Sequence, residues 1–146
     1  MLRHALALLC SALFLTQLAS AQTAKPSDDY VWVTACKDCH APQYSAWEKT
    51  KHAHALTRLS ETDRDPGGCI GCHVTGATAL APNDVNANVQ CEACHGPGRP
   101  HMQGDPEAIT RKPDEKVCVA CHSQKSPHFK YFSYTALAPL VHPIAK

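Results

Sequence analysis

Four short strings in this chain put two thiols three positions apart with an imidazole directly behind the second: Cys36, Cys39 and His40; Cys69, Cys72 and His73; Cys91, Cys94 and His95; Cys118, Cys121 and His122. Paired thiols at this spacing support three chemistries. In an exported protein the default reading of many cysteines is disulfides. Four close pairs could also build two all-cysteine tetrahedral zinc sites. The residue after each pair decides between them, because neither rival asks for a histidine there four times out of four. Cys-x-x-Cys-His is the signature of covalent haem attachment. The thiols add across the two porphyrin vinyl groups, and the adjacent imidazole lies under the ring and binds the iron. Four motifs imply four haem c groups.

Each haem iron has a second axial position. The chain has 10 His. Outside the motifs and the N-terminal segment these are His52, His54, His101, His128 and His142. Met102 is the sole methionine beyond the start residue, so at most one haem is His/Met ligated. Mostly bis-histidine ligation follows, and with it low potentials.

The elements that must position these groups are short. Tyr30 to Thr34 alternates Val with aromatic residues and reads as a strand or extended segment. Pro42 to Leu59 is the best helix, opened by a proline suited to a first turn and rich in alanine. At about 100° per residue, His52 and His54 lie about 200° apart on it. His52 shares a face with Leu56 and Leu59, and His54 shares one with Trp47 and Arg58. The two cannot easily serve one iron. Ser60 to Gly68 and Gly76 to Gln90 read as loops, the second with a turn at Pro82-Asn83-Asp84. Gly96-Pro97-Gly98 breaks the chain behind the third motif, where glycine lets backbone approach a flat ring. Thr135 to Val141 is a short apolar segment. The motifs begin at 36, 69, 91 and 118, so no fixed-period repeat is present. The expected fold is mainly α and loop-rich, a small multihaem fold wrapped around its haems.

Composition supports that picture. Three Phe and two Trp in 146 residues make a thin side-chain core, so the haems must fill the middle. Arg3 and His4 precede an apolar run from Ala5 to Leu18, and Ala19-Ser20-Ala21 follows. The run is short for a membrane span of roughly 20 residues. It has the form of a secretory signal cleaved near Ala21. Cys10 follows Leu9, which is too large for a lipidation site. The expected organisation is a signal peptide at 1–21, an N-terminal tail at 22–35, polar from Gln22 to Asp29, and a tetrahaem domain at 36–146. Without Arg3 the 14 basic side chains become thirteen, equal to the 13 acidic ones. No basic stripe points to nucleic acid.

Four stretches carry a family resemblance: Cys36 to Leu59 (CKDCHAPQYSAWEKTKHAHALTRL), Gly68 to Gly76 (GCIGCHVTG), Val89 to His101 (VQCEACHGPGRPH), and Val117 to Pro143. Through them the chain resembles the tetrahaem cytochrome c554 family, also described as cytochrome c-552/4 domains. The resemblance implies closely stacked haem pairs with ligands crossing between motifs. It implies that His101 serves the first haem, His52 the third and His142 the fourth. The second haem of the named cytochrome lacks a second protein ligand, and here His54 or His128 stands as a candidate for it.

The expected function is exported, periplasmic electron transfer between redox partner proteins. Docking to a membrane quinol-oxidising complex and self-assembly are further partner readings. Two alternatives are weighed beside it. One open iron, at His73, would make a redox enzyme reducing a small ligand such as nitric oxide. Stacked subunits would make an extracellular haem filament.

Overall fold

The computed structural model describes residues 28–65, 68–76 and 81–142. The apolar N-terminal segment and its cleavage site lie outside them, and so do residues 22–27 of the 22–35 tail. Among the described residues no helix is long and apolar enough to cross a membrane.

Six short α-helices carry or flank the motifs: α1 (Trp32–Cys39), α2 (Ala41–Trp47), α3 (Cys91–His95), α4 (Arg99–Met102), α5 (Glu115–Val119) and α6 (Tyr134–Leu137). Among the described residues 3₁₀ turns lie between α2 and α3, between α4 and α5 and after α6, and the second motif, Cys69–Cys72, is itself one such turn. Among the described residues the only β contact is an isolated antiparallel bridge between Val74 and Ala87. The architecture is the mainly α, loop-rich one expected.

Two expected elements differ. The segment read as extended, Tyr30 to Thr34, instead starts helix α1 at Trp32. The reason lies about sixty residues away. Helix α1 has no side-chain cap of its own. Its first N–H groups are satisfied from α3: Val31 and Trp32 donate to the Glu92 carboxylate at 3.0 and 2.8 Å. Val33 donates to Gln90 Oε1 at 2.8 Å. A carboxylate at a helix start also suits the helix dipole. A long-range cap overrides a local β preference, and it holds Trp32 at φ +67°, uncommon for a bulky residue.

The long helix from Pro42 to Leu59 is also interrupted. Helix α2 ends at Trp47, and 3₁₀ turns His52–His54 and Leu56–Arg58 follow. A continuous helix would bond Leu56 N–H to the His52 carbonyl. Both groups are captured by the 88–89 segment instead. Val89 N–H donates to His52 O at 3.1 Å, and Leu56 N–H donates to Asn88 Oδ1 at 2.9 Å. Trp47 Nε1 donates to Val89 O at 2.8 Å, tying the end of α2 to the same segment. Trp47 is buried while His54, its expected face-mate, is exposed.

The side-chain core is small. Leu56, Ile70, Val74 and Ala87 form one buried cluster, with Leu59 against it. Around it, buried Thr75 and Gln90 join the 74–76 and 86–90 segments. Gln90 N–H donates to Thr75 Oγ1 at 2.8 Å, and Thr75 Oγ1 donates to Asn88 O at 2.9 Å. This patch fixes the second motif beside the interrupted helix.

Candidate haem-binding centre

Helices α1 and α3 each bring a motif cysteine pair to one region, α5 brings Cys118 with Cys121 just beyond its end, and the Cys69–Cys72 turn brings the remaining pair. The eight cysteines are free thiols. Thiols of different motifs meet there. Cys36 hydrogen-bonds Cys91, and this contact raises its pKa above the ordinary thiol value, with burial adding to it. Cys121 is pushed up to about 12, first by burial and then by its hydrogen bond to Cys72. Burial raises Cys94, with Cys118 close enough to add to it. Neighbour contacts thus run from the first motif to the third, the fourth and the second. Among the described residues no group of three or more His, Cys, Asp or Glu side chains could hold a metal ion. The tetrahedral zinc reading has no site there.

The histidines form pairs. His40, at the junction of α1 and α2, faces His101 from α4, with ring centroids 6.4 Å apart and planes at 26°. His95, at the end of α3, faces His142 at 5.9 Å and 24°. His122 faces His52 at 5.9 Å and 60°. Each pair joins one motif histidine to one outside the motifs. His101 meets the first motif, as the resemblance implies. The other two partners are exchanged: His52 stands at the fourth motif and not the third, and His142 at the third and not the fourth. The 3₁₀ turn His52–His54 holds His52 beside His122.

His73 differs. Its Nδ1 bonds the Ala55 carbonyl at 2.7 Å, and no aromatic ring faces it among the described residues. His54 is exposed, and its Nε2 bonds the Glu48 carbonyl at 3.1 Å. His128 is exposed too. Neither is brought to His73. Met102 is also exposed.

Second-sphere groups orient these rings. His95 Nδ1 bonds the Thr110 carbonyl at 2.6 Å. A ring held this way presents its other nitrogen to a metal, the arrangement typical of ligating histidines. His101 Nδ1 is buried without a hydrogen-bond partner. Burial lowers the pKa of His52 and of His95, so both favour the neutral, ligating form.

Residues that the motif reading missed hold the frame. Glu92 is 2% exposed and also accepts from Gly98 N–H at 2.7 Å. A Cβ at 98 would sit 3.0 Å from Val31 Cγ2 and 3.1 Å from Glu92 Oε1, so a larger residue there would make those side chains give by a few tenths of an ångström. Gly96 turns the chain at φ +88°. Arg99 reaches back to hydrogen-bond the Asp28 carbonyl. Glu92 shows in the sequence only as an acid between two motif cysteines, and nothing local points to a partner sixty residues earlier.

Residues 35–96 match the family described as Cytochrome c554 and c-prime. A curated relative, cytochrome c-554 of Nitrosomonas europaea, is 32% identical over 120 residues, covering 67% of this chain and 50% of the relative. The chain belongs to the cytochrome c554 family. The solved structure of reduced cytochrome c554 from the same organism agrees with its fold, at TM-score 0.50 and 25% identity over 76% of this chain and 77% of that one. This family member spans about half the length of the curated relative it matches. Covalent c-type haem is accordingly its cofactor.

Proposed function

We propose that this chain is an exported electron-transfer protein that carries four haems, three of them held between two histidines. The ring separations carry the reading. A metal–nitrogen bond of about 2.0–2.1 Å, plus about 1.1 Å from nitrogen to ring centre, puts two imidazoles on opposite sides of one iron about 6.3 Å apart. The three pairs stand at 6.4, 5.9 and 5.9 Å. Each lies within about half an ångström of the separation a shared iron sets.

The assigned pairs are His40 with His101, His95 with His142, and His122 with His52. Haem supplies one-electron chemistry. The chain supplies spacing, ligands and burial. The nearness of cysteines from different motifs supports closely spaced haems. Closed bis-histidine sites change oxidation state with little rearrangement. Haem propionates make the loaded protein more acidic than its polypeptide, which suits docking to a basic redox partner.

Electron paramagnetic resonance of the oxidised holoprotein tests this. Three low-spin irons are expected from the three pairs. Fewer than three would overturn the assignment.

A second reading is favoured by one observation. His73 has a carbonyl on Nδ1 and no ring opposite it among the described residues. An iron there with an open second position could bind a small ligand such as nitric oxide. Carbon monoxide binding by one haem of the reduced protein supports it, and a fourth low-spin iron rejects it.

A further inference from the structure

The three histidine pairs differ in twist. Two have planes at 26° and 24°, whereas His52 and His122 cross at 60°. His122 is also held differently. His73 and His95 are each fixed by a backbone carbonyl on Nδ1. His122 instead lies flat against Phe132, with centroids 4.9 Å apart and planes at 16°. Two flat rings in contact resist rotation, because tilting either loses dispersion contact or drives its edge into the other. Phe132 is itself anchored. It stands two residues before Tyr134, whose hydroxyl donates to the Pro113 carbonyl at 2.6 Å.

We propose that Phe132 is a positioning residue: it sets the plane of His122 and thereby the electronic character of the iron between His122 and His52. The inference rests on the shared-iron reading above. In a low-spin ferric haem each imidazole acts through its π orbital on one of two nearly equal iron d orbitals. Near-parallel rings act on the same orbital and split the two. Crossed rings act on one each and leave them close. The crossed site therefore gives a highly anisotropic resonance with one large principal g-value, and near-parallel sites give ordinary rhombic signals. The same splitting stabilises the ferric state, so its loss raises the potential. The Thr110 carbonyl works the other way at His95, where it strengthens the imidazole as a donor. The fourth-motif iron should thus be reduced before the third-motif iron.

The test is electron paramagnetic resonance of mature, fully loaded protein through a potentiometric titration. One large-g signal is expected beside two rhombic ones, vanishing at a higher potential than the rhombic signal assigned to His95 and His142. Phe132→Leu should move the large-g signal toward rhombic and leave the other two in place. Phe132→Tyr keeps the flat face and should keep the signal. His52→Ala should replace the large-g signal by a high-spin one, and its survival there would sink the shared-iron reading itself. Given that replacement, three outcomes would overturn the role of Phe132: no large-g signal in the wild type, a large-g signal unchanged in Phe132→Leu, or equal shifts in all three.

Discussion

At the scale of single residues, the imidazoles decide what the iron centres can do. Removing His52 takes a strong-field donor from the fourth-motif iron. In His52→Ala one low-spin signal should convert to high-spin, and the potential of that iron should rise. The His40/His101 and His95/His142 signals should persist. His54 is the control, because its Nε2 is engaged by the Glu48 carbonyl. His54→Ala should leave all three low-spin signals unchanged, as read by the same resonance spectrum. Acid acts on the same residues, because in the loaded protein a proton competes with iron for each imidazole. Low-spin signals should therefore convert to high-spin as the pH falls, followed by the same resonance spectrum.

At the scale of elements, short helices are held by groups distant in sequence. An isolated helix of eight residues is marginal in water, and α1 persists because Glu92 and Gln90 cap its first three N–H groups. Glu92→Ala leaves three donors without their carboxylate, two from α1 and one from Gly98. The expected destabilisation is on the order of 3 kcal/mol, measured by denaturation of the loaded protein. Glu92→Gln keeps one acceptor oxygen and should lose less. Equal stability of the Ala variant and the wild type would show that α1 needs no cap. The interrupted helix makes the same point. The indole of Trp47 and the backbone of His52 and Leu56 are tied to Val89 and Asn88 in place of a continuous helical ladder.

At the scale of the whole molecule, the described polypeptide buries few large side chains, chiefly Trp47, Leu56, Ile70 and Val74. Cofactors that bind only the folded state contribute their binding energy to folding. The apoprotein should therefore unfold without a cooperative transition, whereas the loaded protein should show one by calorimetry. Replacing both Cys91 and Cys94 by Ala removes the attachment nearest the thiols of the first and fourth motifs. Mass spectrometry should find one haem fewer than in the parent, and the thermal midpoint should fall. A three-haem product as stable as the parent would count against a core made of haem.

The chemistry was legible in the sequence because covalent attachment needs two thiols and an imidazole in local order, and five residues carry the whole signal. Helical content and the paired use of His101 with the first motif were legible too, the latter through the family resemblance. Pairing across the chain was not. The resemblance sent His52 to the third motif and His142 to the fourth, and spacing offers no correction because it records no contacts beyond a few residues. The extended look of Tyr30 to Thr34 and the unbroken helix to Leu59 were local preferences, and both yielded to hydrogen bonds from Gln90, Glu92, Asn88 and Val89. Only the tertiary structure decided which imidazoles face each other, at what twist, and which motif histidine faces none among the described residues. Those properties depend on ångström-scale placement of side chains set by long-range capping and packing, which no local pattern encodes.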